Sequence, residues 1–128
     1  MTKDEAVKRL EKYGRVRHDK DFLSARIEAH RYRLKHARNE HAARLEQHRL
    51  DKLTEAEKAN RLFMEDIELC LSFMTEREKK VLWHFYVRRT YDYIEILSEK
   101  LHVERSQIYR IKDKAILTFA ALYTKCFY

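Results

Sequence analysis

The sequence predicts an all-α protein in two parts, a helical arm over residues 1–60 and a compact helical domain over 61–128. Three observations carry this. The 128 residues include one glycine and no proline, against about 7% and 5% in an average chain, so the residues that make turns and break helices are nearly missing. Thr-x-x-Glu signals recur at Thr2, Thr54 and Thr75, where hydroxyl and carboxylate each satisfy a backbone N–H that a first helical turn leaves unpaired. Apolar residues recur at spacings of three and four, the period of a helix face.

Thr2 with Glu5 starts a first helix at about Lys3, with Ala6, Val7, Leu10 and Tyr13 on one face. It is expected to end at Tyr13, with Gly14 as a left-handed cap. No breaker follows from Asp19 to about Lys52, which reads as one long helix, with a helical hairpin as the alternative. Its apolar stripe, Phe22, Leu23, Ile27, Leu34, Ala37, Leu45 and Leu50, is interrupted by His30, His41 and Arg44. A leucine zipper keeps both core positions of each heptad apolar, so short antiparallel packing is favoured over a long parallel coiled coil.

Thr54 with Glu57 marks a break or kink. Apolar density then rises through Leu62, Phe63, Ile67, Leu69, Cys70, Leu71, Phe73 and Met74, so the compact domain is placed from about Arg61, its first helix bearing an acidic face of Glu65, Asp66 and Glu68. Thr75 with Glu78 opens a helix that buries Val81, Leu82, Phe85 and Tyr86, with Trp83 at the core's edge. Thr90 or Asp92 caps the next, whose core face is Ile94, Leu97 and Leu101. The last helix starts near Glu104 and runs almost to the end. Its tail, AILTFAALYTKCFY from Ala115 to Tyr128, is apolar almost all round and should be buried on more than one side. Its own chain and a second copy are both open as the covering surface.

A net charge of +7 and a pI near 9.4 favour polyanionic partners. Between Arg15 and Lys52 stand 11 Lys or Arg against 6 acids. That face is open to three readings: a solvated surface with pairs such as Glu28–Arg31, a sequence-independent phosphate-binding surface, or a protein-partner surface. The five histidines there offer no i, i+4 pair of the kind a metal-binding helix uses, and no metal or cofactor is expected. Cys70 and Cys126 are too far apart in sequence for a CxxC pair and read as reduced, semi-buried small hydrophobes. The charged N-terminus is unlike a signal peptide and no apolar run approaches the roughly 18 residues of a membrane span, so a soluble, cytoplasmic protein without a membrane partner is expected. The acids are scattered without a nucleophile–base pair, so no enzyme is expected.

The stretch Thr90–Ala115 has the pattern of a helix-turn-helix. Such a motif needs a small residue where its two helices cross, an apolar anchor in the turn, and a second helix with two faces. Ser98 is the small residue and Val103 the anchor. The second helix buries Ile108, Ile111 and Ala115 and turns Arg105, Ser106, Gln107, Arg110, Asp113 and Lys114 outward, with Tyr109 at the boundary. Arg can bond both acceptors of a guanine edge and Gln can pair with adenine. Arg105, Ser106 and Gln107 are therefore placed nearest the bases, and Glu104, Tyr109, Arg110, Lys112 and Lys114 at phosphates or the flank of double-stranded DNA.

MTEREKKVLWHFYV, followed by LSEKLHVERSQIYRIKDKA, resembles region 4 of bacterial sigma factors, and among such modules is similar to small phage-encoded regulators of the ArpU and RinA-like type. The resemblance covers the last 65 residues or so; the first 60 share only a helical character. It implies a sigma region 4-like helix-turn-helix domain, promoter or operator binding, late-gene control in a bacterial host cell, and DNA-facing positions at Glu104, Arg105, Gln107 and Arg110. A sigma-like module that works mainly through RNA polymerase is the alternative, and a homodimer would suit a two-half-site operator. Two departures stand out: His102 where the turn usually has glycine, and Glu104 where a capping serine is common.

Overall fold

The computed structural model describes residues 1–128. It is all-helical: α1 (Lys3–Lys35), α2 (Glu40–Ser72), α3 (Glu76–Leu82), a π-helical turn (Trp83–Val87), α4 (Tyr93–Leu101) and α5 (Arg105–Phe127). No helix is long and apolar enough to cross a membrane. The chain divides into two compact units, one of Met1–Arg15 with Glu65–Tyr128 and one of Val16–Met64. The first of these units joins the opening fifteen residues, which the sequence places in the arm, to the C-terminal part of the chain.

The unit Val16–Met64 is a helical hairpin, formed by the later part of α1 and the earlier part of α2. Its two helices run antiparallel, with Ile27 and Leu50 buried between charged flanks. His30 Nδ1 meets a Glu46 carboxylate oxygen at 2.7 Å across the hairpin, and that contact, aided by Arg49 and Arg33, holds the Glu46 carboxyl below its ordinary range. The single helix expected over Asp19–Lys52 is therefore corrected to two. The chain turns at residues 36–39 because Asn39 caps α2, its Oδ1 accepting from Ala42 N–H at 2.8 Å. Asn is among the best N-cap residues, and it turns the chain here without glycine or proline. The break expected at Thr54 does not occur. The Thr54 hydroxyl donates back to the carbonyls of Leu50 and Asp51, both at 3.0 Å, a bond a threonine makes inside a continuous helix.

In the other unit, α1 starts as expected, with Glu5 N–H donating to Thr2 Oγ1 at 3.2 Å and Thr2 N–H to Glu5 Oε2 at 3.4 Å. It does not stop at Tyr13. Gly14 is helical, with no positive φ, and its role is close approach: a Cβ there would stand 2.4 Å from the Val87 carbonyl oxygen. A mid-helix glycine costs about 1 kcal/mol relative to alanine, which the approach of the backbone around Val87 offsets.

Ala6, Leu10 and Tyr13 of α1, Ile67 and Cys70 of α2, Met74 in the bend after it, and Ile116, Phe119, Ala120 and Tyr123 of α5 are buried in this unit. Each full burial of a large apolar side chain contributes roughly 1.5–3 kcal/mol. At the rim the Arg9 guanidinium lies 4.6 Å from the Tyr123 ring centroid and donates to Tyr128 Oη at 2.9 Å. The apolar tail of α5 is thus packed within its own chain, and the side left outward shows Leu117.

Candidate nucleic-acid interface

The helix-turn-helix is positioned from α3 onward. Glu78 N–H donates to Thr75 Oγ1 at 3.2 Å and Thr75 N–H to Glu78 Oε1 at 3.1 Å, the reciprocal box that starts α3. The helix then widens into the π turn, closed by Arg88 N–H donating to Trp83 O at 2.8 Å. Behind the motif, Val81, Phe85, Leu97 and Ile108 form a buried cluster, flanked by Tyr86, Tyr93, Ile94, Leu101, Val103 and Ile111. Phe85 sits at its centre, edge-on to Tyr93 at 5.0 Å and to Tyr109 at 5.8 Å. Burial pushes the Tyr86 hydroxyl up to about 12. Asp92 takes the N-cap position of α4, but no side-chain bond caps that helix.

The turn between α4 and α5 is made by His102 at φ 55°, ψ 44°, the left-handed region that favours glycine. A side chain there costs about 1–2 kcal/mol, and the turn is braced on both sides. The Ser98 hydroxyl donates to the Val103 carbonyl at 2.6 Å, and Val103 N–H donates to Ser98 O at 3.3 Å. Ser98 is the small residue at the crossing, as the sequence suggests, and it is also the strut that holds the turn.

Glu104 stands at the N-cap of α5 in extended conformation without a side-chain cap. Arg105, Ser106, Gln107 and Arg110 are exposed, whereas Ile108 is fully buried. Ser106, Gln107 and Arg110 make no side-chain hydrogen bond within the chain. Arg105 is held by a 3.0 Å ion pair with Glu95 of α4, both partners about two-thirds exposed. A pair so exposed is worth little, so it orients the guanidinium at small cost to release.

The flanking residues differ from one another. Lys114 is exposed, and Tyr109 is 46% exposed with its ring against Phe85. Lys112 is not the outward cation the spacing suggests. Its ammonium lies 5.6 Å from the Phe85 centroid and 3.0 Å from an Asp113 oxygen, with the side chain only 20% exposed. Asp113 also accepts from Lys3 Nζ at 3.2 Å, and these two bonds hold its carboxyl below the ordinary range. The sequence marks Lys3 only as the start of a helix, and no local pattern gives it this partner, which lies 110 residues away.

No group of three or more His, Cys, Asp or Glu side chains is placed to hold a metal ion. Set against family models, curated proteins and solved structures, the chain matches none of them.

Proposed function

We propose that this chain is a sequence-specific DNA-binding regulator of transcription that reads a major groove with the first turns of α5. One observation carries the reading: over Arg105–Arg110, Ile108 anchors the helix in the core while Arg105, Ser106, Gln107 and Arg110 stand in solvent with their bonding capacity largely unspent. Those side chains are the types that bond base edges and phosphates. The fully buried anchor and the braced turn hold them as a rigid set, which a site built to discriminate requires. The net charge of +7 supplies the general attraction to a polyanion. The resemblance to sigma region 4 adds the setting, a phage-type regulator in a bacterial cytoplasm.

Selection of bound duplexes from a random pool tests this, with enrichment of a short common site as the expected result. An inverted repeat in that site identifies a homodimer. If about five Lys or Arg neutralise phosphates, log affinity falls against log salt with a slope near −4 to −5. A second reading, a module that contacts RNA polymerase, is favoured by the exposed apolar side chains Leu69, Phe73 and Leu117. A pool without enrichment, together with salt-insensitive capture of polymerase, replaces the first reading with the second.

A further inference from the structure

A second basic feature lies away from the start of α5, in a cleft of about 490 Å³ between α3, the π turn, the segment after it and the last turn of α4. Four cations line it, Lys79, Lys80, Arg88 and Lys100, together with Trp83 and His84, and no carboxylate does. Lys79 is neutralised by Glu76 at 2.7 Å. Lys80, Arg88 and Lys100 make no salt bridge, although the Glu76 carboxylate also feels Lys80 at longer range, so cations are in excess around this concavity. Like charges brought together cost free energy, so the arrangement favours an anion from outside. His84 adds a second sign: its Nδ1 is buried without a hydrogen-bond partner, and such an atom in a native fold calls for a partner the protein itself does not supply. Burial and the neighbouring Lys100 both disfavour the charged imidazole, as expected in a positive local field.

We propose that this cleft binds a small polyphosphate-bearing molecule, whose adjacent phosphates are held by Lys80, Arg88 and Lys100. The match is one of charge density and shape. A linked di- or triphosphate brings two to four negative charges into one small volume, whereas a DNA strand presents single charges spread along its backbone. The cleft lies within the roughly 300–1,000 Å³ of small-ligand sites, and its walls come from three elements, which gives a multivalent anion several directions of approach at once. The inference does not depend on the role of α5.

Trp83 is the only tryptophan and lines the cleft, so its fluorescence reports occupancy directly. The full chain is titrated at matched ionic strength with sodium tripolyphosphate, with orthophosphate and with a nucleoside triphosphate, and stoichiometry is read by calorimetry. Saturable one-to-one binding of tripolyphosphate is expected, at least tenfold tighter than orthophosphate. A still tighter nucleoside triphosphate assigns part of the site to the nucleoside; equal affinity assigns it to the phosphate chain alone, and both support the site. Arg88→Gln and Lys100→Gln should each weaken binding roughly tenfold, the scale of one charge-assisted hydrogen bond. Helix content and melting temperature, measured alongside, should hold, because neither residue makes a salt bridge. Arg105→Gln should leave tripolyphosphate affinity unchanged. A non-saturable response, equal affinity for ortho- and tripolyphosphate, or an equal loss in Arg105→Gln overturns the proposal. So does a chain that ignores tripolyphosphate while Arg88→Gln and Lys100→Gln lose affinity for every duplex, which gives the cleft to the DNA backbone.

Discussion

Replacing Gly14 by alanine sets two known effects against each other at one position. In a helix interior the change should stabilise by about 0.5–1 kcal/mol, since alanine loses less backbone freedom on folding. Here the new Cβ meets Val87 O at 2.4 Å and Val87 C and Cα at 3.1 Å. All three are backbone atoms, so no rotamer change makes room and the chain around the π turn must shift. Overpacking of this kind costs typically about 1–3 kcal/mol, and the net expectation is a loss of about 1–2 kcal/mol. For a chain of this size that lowers the melting temperature by roughly 3–8 °C, readable by circular dichroism. Gly14→Asn separates this from a capping role. At a left-handed cap asparagine is better tolerated than alanine, whereas in a tight helical crossing it is worse, being larger and a poorer helix former. A melting temperature that rises in Gly14→Ala, or Gly14→Asn more stable than Gly14→Ala, refutes the close-approach reasoning.

Four further outcomes are expected. His102→Gly should stabilise by about 0.5–1 kcal/mol, because glycine accepts the left-handed turn without the side-chain penalty and gives back part of that gain in unfolded-chain entropy; a lower urea midpoint contradicts this. Arg105→Ala should cost about 1–3 kcal/mol on the selected site and relax base preference, while Lys114→Ala weakens all duplexes alike and flattens the salt slope by about one unit; equal losses on specific and random DNA in Arg105→Ala remove its base-reading role. The Glu46 carboxyl is depressed in the folded state from its ordinary 4.5 by the His30 bond, so the stability it contributes is complete above about pH 4.5 and is lost as pH falls through the lower folded value. Glu46→Gln should therefore show a shallower fall of melting temperature below that pH, and slopes identical to the unaltered chain count against the bond. Burial and the nearby Cys126 push the Cys70 thiol up to about 12, so iodoacetamide at pH 8 should modify the exposed Cys126 and spare Cys70 until unfolding; comparable rates contradict that placement.

Local chemistry is what the sequence reports well. The boxes Thr2–Glu5 and Thr75–Glu78 form, because a cap needs only a residue and its neighbour three positions on. The same signal at Thr54 misleads, since a threonine hydroxyl bonds equally to carbonyls behind it when the helix continues. Asn39, a good cap without a glutamate three positions on, marks the real turn, and its signal is readable once a hairpin is considered. In the helix-turn-helix stretch, Ser98, Val103 and the buried Ile108 stand where the pattern puts them.

What the sequence determines alone is the all-helical state, the two local boxes that form, and the two-faced pattern of Thr90–Ala115, since each depends on residues within one or two turns. Only the tertiary structure decides that α1 runs through Gly14, that Lys112 turns back over Phe85 and joins Lys3 around Asp113, and that Lys80, Arg88 and Lys100 converge on one cleft. These depend on which backbones cross and at what distance. That is set by packing among residues far apart in the chain, and no local pattern in the sequence records it.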